Sequence, residues 1–311
     1  MHRRITIQGD GRAVSALATE LAPLEGVIGL SHHREGSVKP PGDVLEVDVL
    51  NRYADEVLRR VRPAQADPQR PVIVVIAQSS AMVDRRHSGL IEHDADEALW
   101  EEMESDLRNH GRVSTNYVVL MALGGLIAAS GFVLDPVSQA IAFVGASIIA
   151  PGFEPVAKLA QGLVLGAPRV CGHAVLSIFV GYAVLFVTAL AMIAGLGLLH
   201  PGHPHHVIME QPVLKVFTGF EAAPLATTAA AAIAGVIMVV SLRDLYVVGP
   251  LMVLVLVPGV ALAGAAVAIG EPAVALWALA RVGLDVLIVL LLGGGVFFWK
   301  QRAFHRRRPL T

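Results

Sequence analysis

The sequence predicts an α-helical polytopic membrane protein with a small α+β domain ahead of its spans. Three observations predict it. The 311 residues are 54% hydrophobic and only 16% charged, with a mean hydropathy of +0.62, whereas soluble domains carry about 25% charge. The charge is concentrated at the front, where residues 1–116 hold 33 of the 50 Lys, Arg, Asp and Glu. Behind it, apolar runs of about 20 residues, the length that crosses a bilayer core, recur to the end of the chain.

This balance excludes a purely soluble enzyme and a nucleic-acid binder with a basic face. Cys171 is the only cysteine, so a disulfide scaffold is excluded as well. The start, from Met1 to Asp10, lacks the apolar stretch of a secretory signal, so the front domain is expected in the cytoplasm. Twenty Arg against four Lys suits a GC-rich bacterial genome.

The front, residues 1–82, reads as β-α-β-β-α-β. Arg4–Gln8 is a strand. Gly11–Leu21 has apolar residues at 13, 14, 17, 18 and 21, a helical spacing. Val27–Leu30 is a second strand, and Asp43–Leu50 alternates as a strand with at least one apolar face. The segment Gly36–Gly42 reads as a loop. Arg52–Val61 is helical with Tyr53, Val57, Leu58 and Val61 inward, and the unbroken apolar run Val72–Ala77 is expected near the middle of a sheet. This order is that of a ferredoxin-like sandwich. Residues 83–116 form a linker, in which Asp94–Arg108 is acidic and carries Trp100, Met103 and Leu107 at helical spacing. That helix is either solvated or packed on a second subunit.

Six spans are expected within residues 117–300, at 117–134, 137–166, 173–199, 221–242, 246–270 and 273–299. The second and third are long enough to tilt, kink or project. Segments predicted inside carry Arg108, Arg112, Arg169, Arg243, Lys300, Arg302, Arg306, Arg307 and Arg308, and those predicted outside carry only Lys215. This positive-inside bias puts both termini in the cytoplasm, with a basic tail over residues 301–311. Pro151-Gly152 and Pro258-Gly259 lie mid-span in the second and fifth spans. Tyr117 stands 34 residues before Pro151, as Pro224 does before Pro258. Two readings follow. Either the halves are a 3+3 inverted repeat with a helix break in corresponding spans, a transporter pattern, or proline merely kinks each helix.

The stretch Ser114–Pro155, STNYVVLMALGGLIAASGFVLDPVSQAIAFVGASIIAPGFEP, and the fifth-span text VGPLMVLVLVPGVALAGAAVAIG carry a likeness. Residues 114–300 resemble the bacterial "domain of unknown function 389" membrane proteins, and the Pro-x-x-x-Pro motif at Pro151 and Pro155 is the most specific part. The resemblance implies the membrane architecture and supplies no substrate. In that family a small polar residue or glycine usually stands at the position of Glu154, and Asn at that of Asp285, so this chain carries added charge at both.

Ionisable residues inside a membrane are functional candidates because they are costly there. Glu154 and Lys158 form one i,i+4 pair, and Arg281 and Asp285 another. They are expected to line a site for an ion or small anion with Ser147, Pro151, Gly152, Pro155, Pro258 and Gly259, or else to form self-neutralising pairs that hold helices together. Lys158 and Arg281 disfavour a sodium site. His200, His203, His205 and His206 in the loop expected outside either bind a metal or are solvated. No HExxH, GxSxG or P-loop is present, so neither an enzyme nor a cofactor is expected. A transporter or channel with a cytoplasmic regulatory or oligomerisation domain is therefore the leading reading, and a membrane scaffold or signalling protein the alternative. The expected partners are the bilayer, a second copy of the chain in a dimer, and a small solute or ion, with no nucleic acid.

Overall fold

Alternating side chains build the front. In β1 (His2–Gly9), Ile5 and Ile7 point inward, and in β3 (Pro41–Leu50) so do Leu45, Val47 and Val49. The period of two puts these residues on one face of the sheet. Two helices cover that face: α1 (Gly11–Leu21) contributes Val14, Leu17 and Leu21, and α2 (Asn51–Gln65) contributes Ala54, Val57, Leu58 and Val61. Asp10 starts α1 by accepting the backbone N–H groups of Arg12 and Ala13, which would otherwise lack partners. No neighbouring side chain caps α2. Instead Asp94, 43 residues on from Asn51, accepts the N–H groups of Asn51 and Arg52 at 2.8 and 3.3 Å.

This computed structural model describes residues 2–67, 72–79, 84, 86–94, 99, 112–241 and 245–305. The chain forms two units, Met1–Glu102 and Met103–Thr311. The first is a four-stranded antiparallel sheet in the order β2-β3-β1-β4, with β2 at Val27–Val38 and β4 at Val72–Ser79, followed by the short α3 (Ser88–Glu92). Two expectations are corrected here. The run Val72–Ala77 lies at an edge, paired only to β1, with Ile73 and Val75 about half exposed (47% and 49%). The segment 36–42 is mostly hairpin arm, because Ser37 pairs with Gly42 and Val38 with Pro41, and the Ser37 hydroxyl donates to the Pro40 carbonyl. Apart from Asp94 and Leu99, the acidic helix expected over 94–108 lies outside the described residues, as do Arg243 and Arg306–Arg308.

The second unit is helical: α4 (Thr115–Gly131), α5 (Pro136–Ile149), α6 (Glu154–Leu165), α7 (Pro168–Leu199), α8 (His203–Glu210), α9 (Leu214–Thr218), α10 (Ala222–Val240), α11 (Leu245–Ala268) and α12 (Pro272–Ile288). A π-turn over Val289–Gly293 then leads into α13 (Gly294–Lys300). Ser114 caps α4 and Asp135 caps α5, each accepting backbone N–H groups with its side chain. Among the described residues three helices are long and apolar enough to cross a membrane, namely α7, α10 and the continuous Pro272–Ala303. The bent pair α5 and α6 makes a fourth if it counts as one span, and Thr115–Gly131 and Leu256–Ala268 are shorter apolar helices.

Helix α11 is the centre of this unit and packs against α4, α5, α7, α10 and α12. Small residues let backbones approach, as is usual where helices meet in lipid. A Cβ on Gly264 of α11 would lie 2.3 Å from the Phe186 carbonyl of α7. A Cβ on Gly125 of α4 would meet the Leu185 carbonyl at 2.6 Å.

Candidate functional site

The Pro-Gly pair at 151–152 breaks the helix. Helix α5 ends at Ile149, Ala150 turns to an extended conformation, and α6 restarts at Glu154 after a bend of 49°. Proline removes an N–H and clashes with the preceding turn, so carbonyls near the break need other donors. One comes from α7, where the Tyr182 hydroxyl donates to the Gly152 carbonyl at 3.1 Å. Pro155 sits in the first turn of α6, where its missing N–H costs nothing. Glu154 is half-buried in that same turn, where the helix dipole favours a carboxylate. Ser147 is buried, and its hydroxyl has no hydrogen-bond partner among the described residues.

The second Pro-Gly pair behaves differently. Helix α11 runs from Leu245 to Ala268 without interruption through Pro258 and Gly259. The expected break there is therefore corrected, and with it the matching of two broken spans. Neighbouring helices can satisfy the backbone around a membrane proline, and α11 is surrounded by them. Gly259 serves close packing: a Cβ there would stand 2.6 Å from Val282 of α12.

Arg281 and Asp285 of α12 are almost wholly buried, at 1% and 0% exposure. The Arg281 Nε donates to both Asp285 oxygens at 3.2 and 3.1 Å, and Nη2 donates to Oδ1 at 3.0 Å. Nη2 also donates to the Thr228 hydroxyl of α10, and Nη1 to the Gly219 carbonyl. Every nitrogen of this guanidinium has a partner, so the pair works as a lock between α12, α10 and the α9–α10 connection.

Lys158 lines a cavity of about 680 Å³ beside α6 and the start of α7, whose described lining does not include Arg281 or Asp285. Lys158 is 5% exposed and Gln161, one turn on, is fully buried. Arg112, Arg169 and His173 stand exposed around the same cavity, and Ser177 closes its base with its hydroxyl donating to the His173 carbonyl. No carboxylate is among the described lining residues. Both amide atoms of Gln161 lack a hydrogen-bond partner among the described residues. The sequence reading singled out Lys158, took Arg112 and Arg169 for topology markers, and missed Gln161 and His173. The signal for Gln161 was its spacing, since 154, 158 and 161 fall on one face of a helix.

The four imidazoles of the His-rich stretch do not gather. His205 meets Glu271 at 3.1 Å, His206 meets Glu210 one turn along α8, and the His200 and His203 rings are 6.5 Å apart. Among the described residues no group of three or more His, Cys, Asp or Glu is placed to hold a metal. His200, His203, His205 and His206 are thus not brought together as a set of ligands, and His205 and His206 contact Glu271 and Glu210 instead.

Long apolar helices around a bent pair, with buried charges satisfied inside the bundle, define a polytopic helical membrane protein. Residues 148–291 match the family described as domain of unknown function (DUF389), the one that the stretch around Pro151 resembles. No curated protein and no solved structure matches the chain.

Proposed function

We propose that this protein is a transporter or channel for a small anionic solute, and not an enzyme, in the cytoplasmic membrane of a bacterium. The observation that carries the reading is the bend between α5 and α6 in a segment of spanning length, whose buried Ser147 hydroxyl and Gln161 amide have no partners among the described residues. Irregular backbone at membrane depth is tolerated where it is buried in protein or lines a cavity. In this reading α4, the α5–α6 pair, α7, α10, α11 and α12 with its extension form six spans, with both termini cytoplasmic. The front unit is read as ferredoxin-like, on its antiparallel order β2-β3-β1-β4 and its two helices on one face, and it regulates or dimerises the protein. Flux in proteoliposomes tests this. Uptake of at least one anion from a panel is expected above protein-free vesicles, with Glu154→Gln altering its rate or pH dependence. Absence of flux for every anion and cation tried would overturn it.

A second reading, a membrane scaffold or signalling protein, is favoured by one observation. Arg281 and Asp285, the most buried charges of the membrane unit, are saturated by one another and by Thr228 and Gly219, and so have nothing left for a solute.

A further inference from the structure

The cavity beside α6 and α7 combines three features that together specify a ligand. Among the described residues its charge is of one sign, from Lys158 on the floor and Arg112 and Arg169 at the rim, with no carboxylate in the lining. Its floor holds Gln161, 0% exposed, with Nε2 and Oε1 both unpartnered among the described residues. Burying an amide without hydrogen bonds is costly, so a native chain that keeps one at the base of an open cavity points to a group that fills it. Its third side is the first turn of α7. Ala167 offers that turn no side-chain cap, and Val170 lines the cavity. The helix dipole there favours an anion.

We propose that this cavity binds a phosphate group, presented either by a soluble phosphate or by an anionic phospholipid headgroup. Phosphate is preferred to a halide because the donors are several and spread out. Two guanidinium forks, an ammonium and an amide N–H match an anion with three or four oxygens better than a single sphere. It is preferred to a bare carboxylate because the 680 Å³ volume and the apolar Val113, Val170 and Leu176 in the lining leave room for an organic remainder. Arg112 and Arg169 belong to segments the charge distribution assigns to the cytoplasmic side, so the phosphate is met there. This inference concerns binding only, and it holds whether or not the protein moves a solute.

The test uses the full chain. In phospholipid-free maltoside detergent, thermal unfolding is followed with inorganic phosphate rising through the millimolar range. Separately, native mass spectrometry counts phosphatidylglycerol retained by the protein. The variants are Arg169→Gln, an exposed substitution that leaves the fold alone, and Gln161→Leu, similar in size but without the amide. A saturable phosphate-dependent rise in midpoint, weakened tenfold or more in both variants, supports the soluble source. Retained phosphatidylglycerol lost from both variants, without a phosphate effect, supports the headgroup. If Gln161 were only a packing residue, Gln161→Leu would raise the midpoint and leave ligand binding untouched. That result, or wild type and Arg169→Gln behaving alike in both arms, overturns the proposal. Failure here leaves flux measurements unaffected, and failure of flux leaves this binding intact.

Discussion

Two carboxylates show how far a single residue's surroundings decide its work. Asp285 is enclosed with Arg281, and removing it would leave a buried guanidinium with only neutral partners. Breaking such a pair costs about 3–5 kcal/mol in soluble proteins, and somewhat less is expected within a bilayer, where alternative partners exist. Asp285→Ala should therefore lower the unfolding midpoint in detergent sharply, while Arg281→Met combined with Asp285→Leu should recover most of it. A double variant as unstable as the single one would show that the charges themselves are needed. Asp43 of β3 is a counterpart in the front unit, buried at 8% exposure. It accepts the Glu35 N–H at 2.9 Å and pairs with the His32 ring at 2.8 Å, and these contacts hold its carboxyl below the usual carboxylate range. A depressed folded-state value means that its contribution is present above the unfolded pKa near 4 and is lost as pH falls through the folded value. Protection factors of the β2–β3 hairpin amides should fall below about pH 4 in the native protein, and Asp43→Asn should flatten that change.

Among elements, those with strong local signals were legible in the sequence. The apolar residues at 13, 14, 17, 18 and 21 gave α1 its bounds, Gly11–Leu21, and the long apolar runs gave α7 and α10. What escaped depended on partners remote in sequence. The run Val72–Ala77 has the composition of a central strand, yet topology leaves it at an edge. Asp94 reads as part of an acidic helix, yet it caps α2 across 43 residues. Its replacement, Asp94→Ala, should cost about 1 kcal/mol, measured as a loss of protection in the first turn of α2. The dipeptide Pro-Gly is the clearest instance, since the same two residues break α5–α6 and leave α11 whole. At the candidate site Lys158 was legible as a costly charge, but Gln161 was not, because an amide in an apolar run is ordinary until its burial and missing partners are known. Close approach between helices gives a further expectation. Gly125→Val should destabilise by about 1–3 kcal/mol through overpacking against the Leu185 carbonyl and Thr188. Gly145→Val, with nothing within 4 Å of its Cβ position, should leave the detergent midpoint nearly unchanged.

For the whole molecule the questions are sidedness and copy number. A cysteine at 205, in a Cys171→Ser background, should react with an impermeant maleimide added to intact cells, and one at 169 should react only after lysis. The reverse pattern would invert the topology and move the basic cavity to the outer face. A dimer in mass photometry is expected if the front unit joins copies. The bend at Pro151-Gly152 also has a consequence for the bilayer. Straightened, the 30 residues from Pro136 to Leu165 would make a rod about 45 Å long, against a hydrocarbon thickness of about 30 Å. Folded by 49°, with α5 upright, the 12-residue α6 rises only about 12 Å in place of about 18 Å. The kink thus takes up roughly 6 Å of hydrophobic mismatch. A thicker membrane favours the straighter form and a thinner one the sharper bend, so lipid chain length alone acts on the geometry around Glu154.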